Sequence, residues 1–271
     1  MKRKQIFDMK NGILKILAVG DVVGKNGLEF IRKNLWDIRK RYDADIVIVN
    51  GENSAPGNGI TIDSANTLFS SGADIITTGN HVFRRAEIYN YLDDTKGILR
   101  PANYPPPSYG FGHGIFGLCG KSVLVMNLLG NVYMEAMRCP FETAETILEK
   151  EKGNYDIAIA DFHAEATSEK MALGYYLDGK VSAVFGTHTH IQTADLKILP
   201  KGTGYITDLG MTGPAHSILG LEKSTIINRF LDGKPQKFTV ASGKGQFCGA
   251  IFEIDENCGK TIGVERIYQE L

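Results

Sequence analysis

Short apolar runs alternate with amphipathic stretches along the first two thirds of the chain, and five of those runs end on metal-ligand residues. ILKILAVG (13–20) leads into Asp21, DIVIVNG (45–51) into Glu52-Asn53, and DIITTG (74–79) into Asn80-His81. YDIAIADF (155–162) leads into His163, and VSAVFG (181–186) into Thr187-His188-Thr189-His190. Apolar runs of this length bounded by turn residues predict buried strands. Between them, Leu28, Ile31, Leu35 and Ile38 recur at helical spacing. A helix closed by Gly72 is predicted over 61–72, a short one over 84–94, one over 140–153 with Pro140 in its first turn and Gly153 at its end, and another over 168–179.

The repeated order of strand, helix and strand implies right-handed crossovers and mostly parallel pairing. KSVLVMNLLG (121–130) adds a strand, whereas the Pro/Gly-rich 100–114 predicts an extended loop. Beyond His190 the pattern changes to short strands and Gly-rich turns, with turns at or beside Lys244-Gly245 and Glu256-Asn257. The expected fold is α/β: a layered αββα sandwich with mixed sheets, helices on the outer faces and a more antiparallel carboxyl-terminal part. Residues 1–12 read as a loose extension and 13–271 as one catalytic domain.

Composition narrows the function classes. A chain of 271 residues with 43% hydrophobic content can bury a full core. Its 30 basic and 31 acidic residues leave no global positive field to draw it to nucleic acid or membrane. Neither stable DNA binding nor a membrane partner is expected. A small anionic substrate is compatible with this balance, because a metal site supplies its own positive charge. Homo-oligomerisation stays open. No apolar run nears the roughly 20 residues needed to cross a bilayer, and MKRKQIFDMKNG lacks the long apolar region of a signal peptide. A cytoplasmic location is the expectation. Cys119, Cys139, Cys248 and Cys258 are scattered without a Cys-x-x-Cys pair, and read as reduced, buried thiols.

Ligands of open α/β sheets gather at the carboxyl ends of the strands, so five decorated ends can converge. Two histidines one residue apart face opposite sides of a regular strand. In a loop after the strand, His188 and His190 can both turn to a common site, the alternative being one buried and one exposed ring. Asn80 offers a neutral oxygen suited to a hard cation, against a role as turn former. Glu52 lies in NGENSAPGNG, where glycines let backbone approach a ligand closely. There it could bridge two cations or be a solvated loop acid. His113 and His216, away from these ends, read as structural or surface residues. Gly20, Gly24 and Lys25 fail as a phosphate loop, because the spacing is one short and Asn26 stands where Ser or Thr is needed.

The strings AVGDVVGKNG, NGENSAPGNGIT, DIITTGNHVF, LRPANYP, DFHAEATSEK, FGTHTHIQTAD and ITDLGMTGPAHSILG resemble the YmdB-like branch of the calcineurin-like metallophosphoesterases. The resemblance runs from Leu14 onward. It implies one cation held by Asp21, Glu52, Asn53 and His190, and a second by Glu52, Asn80, His163 and His188, with Glu52 bridging. Val23 stands where the wider superfamily has a histidine, and Asn53 is implied to replace it. Oxygen and imidazole donors without thiolate suit iron or manganese better than zinc.

Two cations roughly 3.5–4 Å apart share a water and lower its pKa toward neutrality. The bridging hydroxide would attack phosphorus in line, with His81 as general acid on the leaving oxygen. The branch implies hydrolysis of 2′,3′-cyclic nucleotides. The other readings are a nuclease or phosphomonoesterase with the same dinuclear site, and a regulatory protein that binds nucleotide without turnover. GMTGPAHSILG (210–220) would either shape the substrate pocket or pack as a turn against the sheet.

Overall fold

The computed structural model describes residues 12–270. The extension expected at 1–12 lies outside the described residues except for Gly12, whose carbonyl accepts from Glu256 N. Two sheets form the centre. The larger runs β2 (Asp21–Val22), β12 (Met211–Pro214), β13 (Gly245–Asp255), β1 (Ile13–Val19), β3 (Ile46–Asn50), β4 (Ile75–Thr77) and β5 (Ile98–Leu99), with β14 (Thr261–Glu270) paired to β13. The smaller runs β10 (Lys197–Ile198), β11 (Gly204–Ile206), β9 (Ala183–Thr187), β8 (Ile157–His163), β7 (Lys121–Leu129) and β6 (His113–Leu118). Within them β1-β3-β4-β5 and β7-β8-β9-β11 are parallel, and the carboxyl-terminal β13 and β14 pair antiparallel.

Three apolar layers hold the sandwich. Alternation along β1 sends Leu14, Ile16 and Ala18 between the sheets, where they meet Val123, Val125, Ile159 and Phe185 of the smaller sheet. Leu17 and Val19 point the other way, onto Ile31, Leu35 and Ile38 of α1 (Gly24–Arg41) and Leu68 of α2 (Ile62–Ser70). On the far face Leu124, Met126 and Leu128 pack on α4 (Pro140–Lys150) and α5 (Thr167–Leu177). This is the expected αββα layering. Local signals set the helix ends: Thr61 and Ser64 form a reciprocal capping box at α2, and Pro140 opens α4. The short helix α3 (Ile88–Asp94) starts four residues later than expected.

Three expectations change. Residues 223–232 form a helix, α6 (Lys223–Asp232), where only strands and turns were read. Of its residues Ile226 alone is buried, so a core does not enforce its periodicity. The stretch KPQKFTVASGKG is not a strand but an extended segment with a single bridge, Val240 to Leu221. The thiols also differ from the buried reading. No disulfide forms among the described residues, yet only Cys248 is buried, because Cys119 and Cys258 sit in the exposed turns of the β6–β7 and β13–β14 hairpins.

Candidate metal centre

All five decorated strand ends meet at one edge of the sandwich. Asp21, Glu52, Asn53, Asn80 and His81 follow β1, β3 and β4 of the larger sheet; His163, His188 and His190 end or follow β8 and β9 of the smaller. Asp21, Glu52 and His163 are fully buried. His163 Nε2 lies 3.2 Å from Glu52 Oε2, 3.1 Å from Asn80 Oδ1 and 3.1 Å from His188 Nδ1. One ligand atom each from Glu52, His163 and His188 falls within a 4.8 Å span, which a metal ion could fill. His190 Nε2 stands 3.7 Å from Asp21 Oδ1 and 3.4 Å from the Asn53 amide. The close approach depends on Gly79. A Cβ there would lie 2.2 Å from Glu52 Oε2 and 2.3 Å from His163 Nε2.

Each histidine is anchored through the nitrogen that faces away. His163 Nδ1 is 2.9 Å from Thr187 Oγ1, which itself donates to Asp161 Oδ1 at 2.8 Å. That hydroxyl has spent its proton, so it must accept the ring Nδ1–H, which leaves Nε2 as the nitrogen that faces the cluster. His188 Nε2 lies 3.1 Å from Glu165 Oε2, and His190 Nδ1 donates to Leu219 O at 3.1 Å. Anchoring of this kind fixes tautomer and ring direction at metal centres.

Both loop histidines have left-handed backbone, φ 101° at His188 and 64° at His190, which is how residues one apart turn to the same side. A buried ion pair holds that turn. Asp208 Oδ2 accepts from Thr189 N and Oγ1 and from Lys170 Nζ, and Lys170 also donates to Thr187 O at 2.8 Å.

The electrostatics call for positive charge. Burial pulls the His163 pKa down, but Glu52, Asp21 and Asp161 outweigh it and lift it to about 9. Burial raises Glu52, yet His163 and His81 hold its carboxyl well below the usual range. Burial and the neighbouring His163 charge push His188 down to about 3. Burial also raises Asp21, whose Oδ1 has no hydrogen-bond partner. A buried, orphaned carboxylate oxygen among imidazole nitrogens fits a bound cation.

Asn53 is arranged differently from the other expected ligands. It gives Nδ2 to Glu52 Oε1 at 2.8 Å and turns Oδ1 to His81 Nδ1 at 3.1 Å, so its amide must rotate before its oxygen can face a cation. Val23, in place of the superfamily histidine, is buried against Gly213 and Gly220. His113, on edge strand β6, bonds Glu151 at the end of α4, and His216 stands 3.4 Å from Glu270; neither belongs to the cluster. Thr187, Asp161, Glu165, Lys170 and Asp208 escaped the sequence reading. Asp161 carried one clue, since an acid inside a buried strand needs partners.

A cavity of about 430 Å³ opens on the centre, lined among others by Glu52, His81, His188 and His190. A larger one of about 630 Å³, between His113 and α4, contains none of the cluster, so size alone does not locate the chemistry.

Two face-to-face mixed sheets carrying such a cluster define an α/β sandwich of the metallophosphoesterase class. The chain belongs to the family described as YmdB-like protein, whose model matches residues 17–267. It is 44% identical over 254 residues to the Bacillus subtilis (strain 168) 2′,3′-cyclic-nucleotide 2′-phosphodiesterase, covering 94% of this chain and 96% of that protein. A crystal structure of a Mycoplasma pneumoniae protein called a novel phosphatase superposes with a TM-score of 0.90 at 36% identity, covering 95% of this chain and 94% of the other. The crystal structure of a hypothetical protein from Thermus thermophilus gives 0.89 at 42% identity, covering 95% and 99%.

Proposed function

We propose that this protein is a metal-dependent phosphodiesterase that opens 2′,3′-cyclic nucleotides. The observation that carries the reading is the set of preset histidines around Glu52, each with one ring nitrogen anchored and the other turned to the cluster. The activity named for the Bacillus subtilis relative supplies the substrate class. Asp21, Glu52, Asn53 and His190 would hold one ion, and Glu52, Asn80, His163 and His188 the other, with Glu52 shared. The donors are carboxylate, amide oxygen and imidazole, which favours iron or manganese over zinc. When bound, such ions lower the pKa of a water and neutralise phosphoryl oxygens.

The chain's own residues do the rest. Glu52 Oε1 lies 3.1 Å from His81 Nδ1, supplying the partner a general acid needs beside cations once Asn53 has turned its oxygen to the ion. Nε2 is then the nitrogen left to pass a proton to the departing ribose oxygen. Glu165 on the cavity wall and the Thr187–Asp161 pair hold the imidazoles in place while phosphorus changes configuration. Cleavage at the 2′ oxygen leaves a nucleoside 3′-phosphate. A cytoplasmic location is part of the same proposal, and cysteines that form no disulfide among the described residues suit a reducing compartment. Among the described residues no helix is long and apolar enough to cross a membrane.

The test is a side-by-side assay of 2′,3′-cyclic mononucleotides, oligoribonucleotides and phosphomonoesters, using anaerobically purified protein of measured metal content. Cyclic mononucleotides should be the preferred substrates, and Glu52→Gln should abolish turnover while the protein stays folded. Faster cleavage of oligonucleotides or monoesters would transfer the site to those substrates. Tight nucleotide binding without turnover under every metal would make it a sensor.

A further inference from the structure

The 210–220 motif and the segment after α6 meet at the mouth of the metal-site cavity. Polar and metal-site groups line one part of that cavity, and Leu219, Leu221, Phe238 and Val240 form an apolar group in its lining, besides Val23 and Ala55. The apolar set is built rather than loose. Leu221 bridges to Val240, Ala241 N donates to Gly220 O at 2.9 Å, and Glu222 N donates to Thr239 O at 2.9 Å. Asn26 Nδ2 ties Ala241 O to α1 at 2.7 Å, and the Arg229 guanidinium stands 4.9 Å from the Phe238 ring centroid. Despite this support, Phe238 remains 47% exposed and Leu219 44%. Exposed apolar side chains facing a cavity beside a charged centre are a common feature of ligand sites.

We propose that Phe238, with Leu219, Leu221 and Val240, is the platform on which the substrate's nucleobase stacks. The proposal rests on the phosphodiesterase reading above, which puts the phosphate at the metal cluster and sends the nucleoside along the cavity. The base is the flat, apolar part of that substrate, and these four side chains include the largest and most exposed apolar groups of the lining. None of the four carries a hydrogen-bonding group, so the platform grips a base by its face and does not read its edge. Stacking of this kind tolerates every base. Leu219 also links the platform to the chemistry, because its side chain lines the wall while its carbonyl takes the His190 Nδ1–H. Its own φ of 51°, unusual outside glycine, is held by the tight turn in which Ile218 and Leu221 exchange hydrogen bonds.

The experiment compares kcat and KM of the wild-type enzyme and Phe238→Ala on 2′,3′-cyclic AMP, 2′,3′-cyclic CMP and base-free ribose 2′,3′-cyclic phosphate. The wild type should favour both nucleotides over the base-free ester and discriminate little between them. Phe238→Ala should raise KM for both nucleotides about tenfold, with the loss in kcat/KM falling on substrates that carry a base. Phe238→Trp should restore it, and Phe238→Leu, which keeps bulk without a ring, should behave like alanine. An unchanged nucleotide KM in Phe238→Ala and Phe238→Leu, or an equal loss on the base-free ester, overturns the platform. A wild-type enzyme that cleaves the base-free ester but neither nucleotide defeats the substrate reading itself, which is a separate outcome.

Discussion

Lys170 and Asp208 form an ion pair at 2.6 Å with both side chains buried, directly beneath the turn that carries His188 and His190. Removing one partner strands the other charge in the interior, which costs about 3–5 kcal/mol. Asp208→Ala should therefore lower the melting temperature sharply. It also frees Thr189, so the protein that remains folded should hold less metal. Calorimetry with metal analysis checks both, and a wild-type metal content at lowered stability would separate the ion pair from the centre.

Thr187→Val removes the hydroxyl that fixes the His163 tautomer while keeping the size of the side chain. Loss of such a supporting partner typically costs about 10–100-fold in metal affinity. Competition titration against a chelator should show that loss, and Thr187→Ser should recover most of it. Equal affinity in all three proteins would mean that His163 needs no outer partner.

Protonation of His163 gives the metal-free protein a distinctive pH dependence. Its pKa stands at about 9, against an ordinary value of 6.5, because the Glu52, Asp21 and Asp161 charges overcome burial. A raised pKa adds stability that is fully present below pH 6.5 and lost as pH climbs through 9. Chelator-treated protein should thus melt at progressively lower temperature across that window. Metal loading must displace the Nε2 proton, so titration in weak buffer at about pH 7.5 should release close to one proton from this residue. A flat melting profile and no proton release would show that His163 is already neutral.

His81→Ala tests the acid directly. It should lower kcat by about 10²–10⁴ while metal content stays near that of the wild type. A substrate with a good phenolate leaving group needs little protonation and should recover much of the rate. A uniform loss on both substrates would assign His81 to holding the centre instead.

The layered fold and the strand ends were legible because each depends on neighbours in sequence. An apolar run and the residue that follows it stay together wherever the fold takes them, so Asp21, Glu52, Asn80, His163 and His188 could be read in order. The supporting network was not legible for the opposite reason. Asp161 meets Thr77 across 84 positions and Lys170 meets Asp208 across 38, with no spacing to mark either pair. Thr187 looked like a spacer between strand and ligand. The helix α6 escaped because solvent, not a core, faces most of its apolar residues: Phe230 is 84% exposed and Leu231 79%.

The proposed donors come from both sheets, the carboxylates and amides from one and the imidazoles from the other. An ion bound there would work as a rivet through the seam of the sandwich. Sliding one sheet against the other would pull Glu52 away from His163, and releasing the ion would loosen the same seam. Catalytic competence and mechanical integrity then fail together, and slow exchange of the ion becomes a measure of how often the two halves part.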